Sequence, residues 1–263
     1  MRVYVETDLE GVSGVCVWEQ TRDRDSAMYQ VARKLLMEDI AALVDGLVDG
    51  GATEITVDDG HGGGFNFMPD LMDARADYVT GRSRPSMADR AEQYQGYDAA
   101  VLLGYHAMAG TPKAFLCHTQ SSMRGDHYWY NDRESGEMVQ SALFLGHFGI
   151  PLVMVTGDVA TCNEAHGFFG PDIVGVAVKE AYSVEYGKLF APDKAHQLIR
   201  EGAREAMQRI DKIEPYVLET PIRGRLRFPD KSNADAFHPR LSKRVDDYTF
   251  EAEFEDATQI YYF

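Results

Sequence analysis

Side chains able to do acid–base or metal chemistry fall in five short segments. Asp8 and Glu10 sit in TDLEG (7–11), His61 closes VDDGH (57–61), and His106 sits in LGYHA (103–107). His118 ends TPKAFLCH (111–118), and Glu137 ends NDRESGE (131–137). Residues i and i+2 of an extended segment point to one side, so Asp8 and Glu10 can share a face. Two carboxylates side by side repel unless a proton or cation lies between them. Carboxylates and imidazoles together suit Zn2+, with Mn2+ and Co2+ also compatible. Each segment alone has a plainer reading. An Asp-x-Glu after a strand is usually a helix cap or a solvated acid. His61 can simply open the turn of Gly62-Gly63-Gly64, His106 can be a core histidine, and Glu137 can start a helix. His118 has no local pattern, and His127, His147, His166, His196 and His238 read as structural. The metal reading gains its weight from recurrence: Asp8-Leu9-Glu10, Asp58-Asp59-Gly60-His61 and Gly104-Tyr105-His106 each follow a strand-like run. Ligands of open α/β sheets gather outside the carboxyl ends of the strands.

Competing chemistries lack their partners. His61-Gly62-Gly63-Gly64 resembles an esterase oxyanion loop, but no G-x-S-x-G elbow accompanies it. H-E-x-x-H, the Walker A loop and G-x-G-x-x-G are all absent. Cys162 follows a strand end, yet nothing marks its thiolate as stabilised. A phosphoesterase is disfavoured because no cluster of basic residues accompanies the ligands along the sequence.

The elements that must position these groups alternate strand with helix. RVYVET (2–7) is β-branched and aromatic, EITVD (54–58) is a second strand, and DAAVLLGY (98–105) and PLVMVT (151–156) read as strands covered on both faces. Between them, apolar residues at near-helical period (Met28, Val31, Leu35, Ile40, Leu43, Leu47, Val48) predict a helix over 27–48, stopped by Gly50-Gly51. Further helices are predicted over 136–148 and about 192–210. Segments 221–228 and 248–254 alternate apolar and polar, as half-exposed strands do. The expectation is an α/β fold, a mostly parallel sheet flanked by helices, with a smaller β-rich C-terminal appendage. Residues 1–214 form the metal-binding catalytic domain in this reading, and 215–263 the β-rich subdomain.

Charge and cysteine usage narrow the rest. With 42 acidic against 26 basic residues, the net charge of −16 repels phosphate backbones, so nucleic acid is an unexpected partner. Three widely spaced cysteines without a C-x-x-C pair point to a reducing compartment. The first residues show no signal-peptide pattern, and no apolar run approaches the roughly 18 residues of a span. A cytoplasmic protein without membrane contact is expected.

Taken in order, TDLEG, VDDGH, LGYHA, TPKAFLCH, NDRESGE and VMVTGD (153–158) resemble the D-aminopeptidase family of dinuclear zinc peptidases, family M55, over about residues 1–210. The resemblance implies two zinc ions per chain on Asp8, Glu10, His61, His106 and Glu137, with Asp8 bridging both, and His118 as the catalytic residue. Two Zn2+ against three carboxylates leave a formally positive site, which favours hydroxide over water as nucleophile. His118 would shuttle a proton to the leaving amine or attack directly. Asn131, Asp132 and Arg133 would orient ligands or substrate. The activity implied is release of the N-terminal residue from short peptides or amino-acid amides, D-residues included, although no motif encodes chirality. Alternatives are a dinuclear metal amidase or deacylase on another small amide, or a metal-binding module without turnover. A homo-oligomer, ring-shaped in the resembled family, is expected, and strands at an exposed edge suit self-assembly.

Overall fold

The computed structural model describes residues 1–86 and 89–263. Along the chain come β1 (Arg2–Thr7), a single turn α1 (Glu19–Arg22), α2 (Ala27–Asp49), β2 (Glu54–Asp59), β3 (Asp77–Val79) and β4 (Ala99–Leu103). There follow β5 (His127–Tyr130), β6 (Arg133–Glu134), α3 (Glu137–His147), β7 (Leu152–Asp158), α4 (Val159–Phe169), β8 (Val174–Ser183) and β9 (Tyr186–Leu189). The last elements are α5 (Pro192–Met207), β10 (Ile222–Arg227), α6 (Lys231–Ala236), β11 (Lys243–Arg244) and β12 (Thr249–Phe254). Local chemistry sets several boundaries. The Ser26 side chain accepts from Met28 N at 3.0 Å to cap α2, and Asp158 accepts from Thr161 N at 2.8 Å to cap α4.

A seven-stranded sheet runs in the order β3-β2-β1-β4-β7-β8-β9. Its neighbours are parallel except the β8–β9 pair. β4 and β7 are buried at every residue, as strands with helices on both faces should be. On one face Val3, Val5 and Val101 meet Leu36, Ile40 and Leu43 of α2 and Ile199, Ala203 and Met207 of α5. On the other, Tyr4, Ala100 and Leu102 meet Met138, Ala142 and Leu145 of α3. The order turns outward in both directions from β1, toward β2 and toward β4, so the crevice beyond their carboxyl ends is a topological switch point.

The second sheet is antiparallel, in the order β11-β12-β10-β5-β6. It packs on the far side of α3, where Val139 and Leu143 meet Leu226, Phe250, Phe254 and Ile260. This is the β-rich region expected after 215, but two of its strands, β5 and β6, come from 127–134. Among the described residues, no helix is long and apolar enough to cross a membrane.

Candidate metal centre

Three adjacent strands, β2, β1 and β4, end side by side and release their ligand loops together. Asp8 N donates to Leu103 O at 2.8 Å, and Gly11 N to Gly104 O at 2.7 Å, which fastens the Asp8–Gly11 loop to the one carrying His106. The approach requires glycine at both contacts. A Cβ on Gly11 would lie 1.8 Å from Tyr105 O. Gly104 has a φ of +75°, and a Cβ there would lie 2.4 Å from Asp8 O. Glu137 reaches the same crevice from the first turn of α3.

The side chains converge. Asp8 Oδ1 lies 2.8 Å from His61 Nδ1, and Asp8 Oδ2 lies 3.2 Å from His106 Nε2. Glu10 Oε2 is 3.1 Å from His61 Nδ1. Glu137 Oε1 is 3.5 Å from His106 Nε2 and 3.6 Å from His118 Nε2, and the His106 and His118 rings stack at 4.0 Å. Each imidazole is pinned through its other nitrogen to a backbone carbonyl: His61 Nε2 to Thr21 O at 2.9 Å, His106 Nδ1 to Ala107 O at 3.0 Å, His118 Nδ1 to Leu116 O at 2.9 Å. The carbonyl holds the proton on that nitrogen and leaves the lone pair of the other facing the carboxylates.

This donor set fits a divalent cation. Glu10 Oε2 and His106 Nε2 are buried and find no hydrogen-bond partner among the described residues. Two groups of donor atoms lie within 4.8 Å of one another, Asp8–Glu10–His106 and His106–His118–Glu137. His106 belongs to both. Burial opposes charge on His106, but Asp8 and Glu137 outweigh it and push the imidazole up to about 10. Burial likewise opposes charge on His61, while Glu10 and Asp8 hold it well above its ordinary value. Burial would raise Asp8, yet His106 and His61 keep it well below the usual carboxylate range. His118 differs: burial and then the neighbouring His106 lower it, so its imidazole is neutral at neutral pH.

Asp8, Glu10, His61, His106, His118 and Glu137 are therefore brought together. Asn131, Asp132 and Arg133 are not. Asn131 bonds Glu219 O and Arg223 N across the second sheet, and Asp132 pairs with Arg223 at 2.7 Å. Arg133 donates to Gly167 O and covers the Phe168 ring. These three build the turn between β5 and β6 that leads into Glu137. Cys162 is buried, which pushes its thiol up to about 12 and leaves it inert.

The centre opens into a cavity of about 670 Å3. Its lining includes residues that sequence reasoning misses. Arg22, Arg24, Arg84 and Arg90 border it, so the expectation that no cluster of basic residues accompanies the ligands is corrected: they come from two segments, the end of α1 with the residue after next and the stretch before β4, neither adjacent in sequence to a ligand motif. Deeper in the cavity lie Glu6, Asp58, Tyr94, Tyr105, Ser141, Phe144 and Tyr261. Asp58 is compensated by Arg90 at 2.8 Å and the Tyr4 hydroxyl at 2.7 Å. Burial and the Asp58 carboxylate push Glu6 up to about 7. Asp58 and Tyr105 stand within the post-strand motifs, and Glu6 precedes Asp8 by two residues on the same strand face, whereas the other four carry no sequence signal.

Comparison with known proteins agrees with this geometry. The model of the peptidase M55 family, described as D-aminopeptidase, matches residues 1–263. A D-aminopeptidase of Bacillus subtilis (strain 168) is 31% identical over 216 residues, which span 82% of this chain and 77% of that protein. The solved structure of the zinc-dependent D-aminopeptidase DppA from Bacillus subtilis, described as a self-compartmentalizing protease, superposes with a TM-score of 0.87 at 25% identity. The superposition covers 99% of this chain and 94% of that one.

Proposed function

The chain belongs to the D-aminopeptidase family of peptidases, M55, and is a metal-dependent aminopeptidase; from that premise we propose that it uses two zinc ions to release the N-terminal residue, D-residues included, from short peptides or amino-acid amides. The observation that carries this reading is the trio of histidines, each pinned to a backbone carbonyl on one side and turned onto Asp8, Glu10 or Glu137 on the other. Asp8, Glu10, His61, His106 and Glu137 would hold the ions, and Asp8 touches two of the histidines.

Zinc held by these residues would supply Lewis-acid polarisation of a carbonyl and a water whose pKa falls from 15.7 to about 7. The chain's own residues do the rest. Glu10 and Glu137 supply carboxylates that would offset part of the charge of the ions they hold. His118 presents a neutral Nε2 lone pair, fixed by the Leu116 carbonyl, which can take the proton that the attacking water loses and pass it to the leaving nitrogen. We further assign residues 1–214 to the catalytic domain and 215–263 to a subdomain that completes the second sheet, a cytoplasmic location, and assembly into a homo-oligomer, a ring by likeness to the self-compartmentalizing relative.

Elemental analysis together with hydrolysis of L- and D-alanyl p-nitroanilides, for wild type and Asp8→Ala, tests the reading. Near two zincs per chain, with metal and activity lost together in the variant, is the expected result. Absence of zinc above background after zinc is supplied would sink it.

A further inference from the structure

We infer that Glu6 is the specificity-determining residue of an aromatic-walled subsite that receives a basic side chain, amine or guanidine, on the N-terminal residue of the substrate. The inference rests on the aminopeptidase reading above. Glu6 shares a face of β1 with Tyr4 and Asp8, and two residues of strand set it roughly 6.6 Å from Asp8. Its carboxyl opens into the cavity beside Gly60, where a Cβ would stand 3.5 Å from Glu6 Oε1.

Unlike the neighbouring acid, it has no directly bonded cation, and Arg90 acts on it only at longer range. Asp58 is satisfied by Arg90 and Tyr4. Glu6 forms no ion pair among the described residues, and its polar neighbours are the hydroxyls of Ser141 and Tyr105, which also face one another at 3.0 Å. Tyr94, Phe144 and Tyr261 complete the wall, with the Phe144 ring 4.8 Å from Tyr94 and 6.4 Å from Tyr261. A carboxylate behind aromatic rings suits a cation, which gains both from the charge and from the ring faces. A neutral side chain would leave the carboxylate desolvated and unpaired.

Reach decides which cation. A scissile carbonyl held among Asp8, His106 and Glu137 keeps the α-ammonium within those ligands, one strand step short of Glu6. A lysine-like stem spans about 6 Å, which matches the step to Glu6.

The test compares kcat/KM of the zinc-loaded protein for lysyl, arginyl, norleucyl and alanyl p-nitroanilides in both chiralities, in wild type and Glu6→Gln. Calorimetric binding of n-butylammonium, with 1-butanol as the neutral control, is measured alongside. Wild type should favour lysyl over norleucyl by on the order of tenfold to a hundredfold, the worth of one hydrogen bond to a charged group. Glu6→Gln should erase that preference, by loss on lysyl, gain on norleucyl or both, and abolish n-butylammonium binding. Equal use of lysyl and norleucyl by wild type overturns the inference, and so does a uniform loss across all substrates in the variant. If wild type cleaves none of them, the aminopeptidase reading fails separately. The subsite then stands or falls on whether n-butylammonium binds wild type and not Glu6→Gln.

Discussion

His118 stands apart from the other imidazoles of the centre because burial and His106 keep it neutral, while its Nδ1 is tied to Leu116 O. A proton carrier and a metal ligand predict different variants. His118→Gln should lower kcat by about 10²–10⁴-fold while zinc content stays that of wild type. Loss of zinc with the activity would make His118 a ligand, as its place beside His106 and Glu137 also permits. Asp8, Glu10, His61 and His106 are legible in the sequence because each follows a strand, and strand ends are where α/β sheets collect ligands. Glu137 and His118 carry no such signal: one starts a helix and the other ends an irregular loop, so only family resemblance singles them out. Arg84, Arg90, Tyr94 and Tyr261 are invisible in the sequence for another reason. They reach the cavity from segments whose meeting is set by tertiary packing, and no local spacing records it.

At the level of elements, the ligand loop after β1 is fastened from β8. The fully buried Lys179 ammonium donates to Glu10 O at 2.6 Å, Val12 O at 2.9 Å and Val15 O at 2.5 Å. Lys179→Met takes the donor from Glu10 O and Val15 O, while Val12 O keeps Val15 N, and denaturant titration should find a loss of about 3 kcal/mol. Zinc affinity should fall with it, since Glu10 is held by the same loop. A second tie joins α2 to α5, where His196 Nε2 lies 3.4 Å from Asp39 Oδ1. Asp39 raises His196 above its ordinary 6.5, against an opposing effect of burial. The stability this pair contributes is fully present below pH 6.5 and is lost as pH rises through the raised value. Melting temperature followed across that window should decline in wild type and flatten in His196→Gln. An unchanged slope in the variant would assign the dependence elsewhere. The strongly patterned elements are readable: β1, α2, β2, α3 and α5 lie within a few residues of where periodicity puts them. β5, β8 and α4 are not among the predicted elements. β5 (HYWY) is short and lies between loops, and α4 carries polar and small residues with little apolar period.

Across the whole molecule, the cavity has acid within and arginines around it. Arg84 comes from an exposed stretch, whereas Arg22, Arg24 and Arg90 already bond Ser122, Gly64 and Asp58. Arg84→Ala should therefore raise KM for dipeptides with a free carboxylate about two- to fivefold, the worth of one solvated charge contact, and leave amino-acid amides nearly unchanged. Equal effects on both substrate kinds would remove Arg84 from carboxylate recognition. The split construction of the second sheet has a consequence in time. β5 pairs with β10, and Arg223 N bonds Asn131 Oδ1 across 92 residues of chain. At about 5–20 residues per second, a ribosome exposes β5 roughly 5–20 s before its partner exists. Through that interval Tyr128 and Tyr130 sit on an open strand edge, and the turn that delivers Glu137 has nothing to lean on. Translation speed between codons 130 and 222 thus sets how long the nascent enzyme remains sticky and unable to complete its own active site.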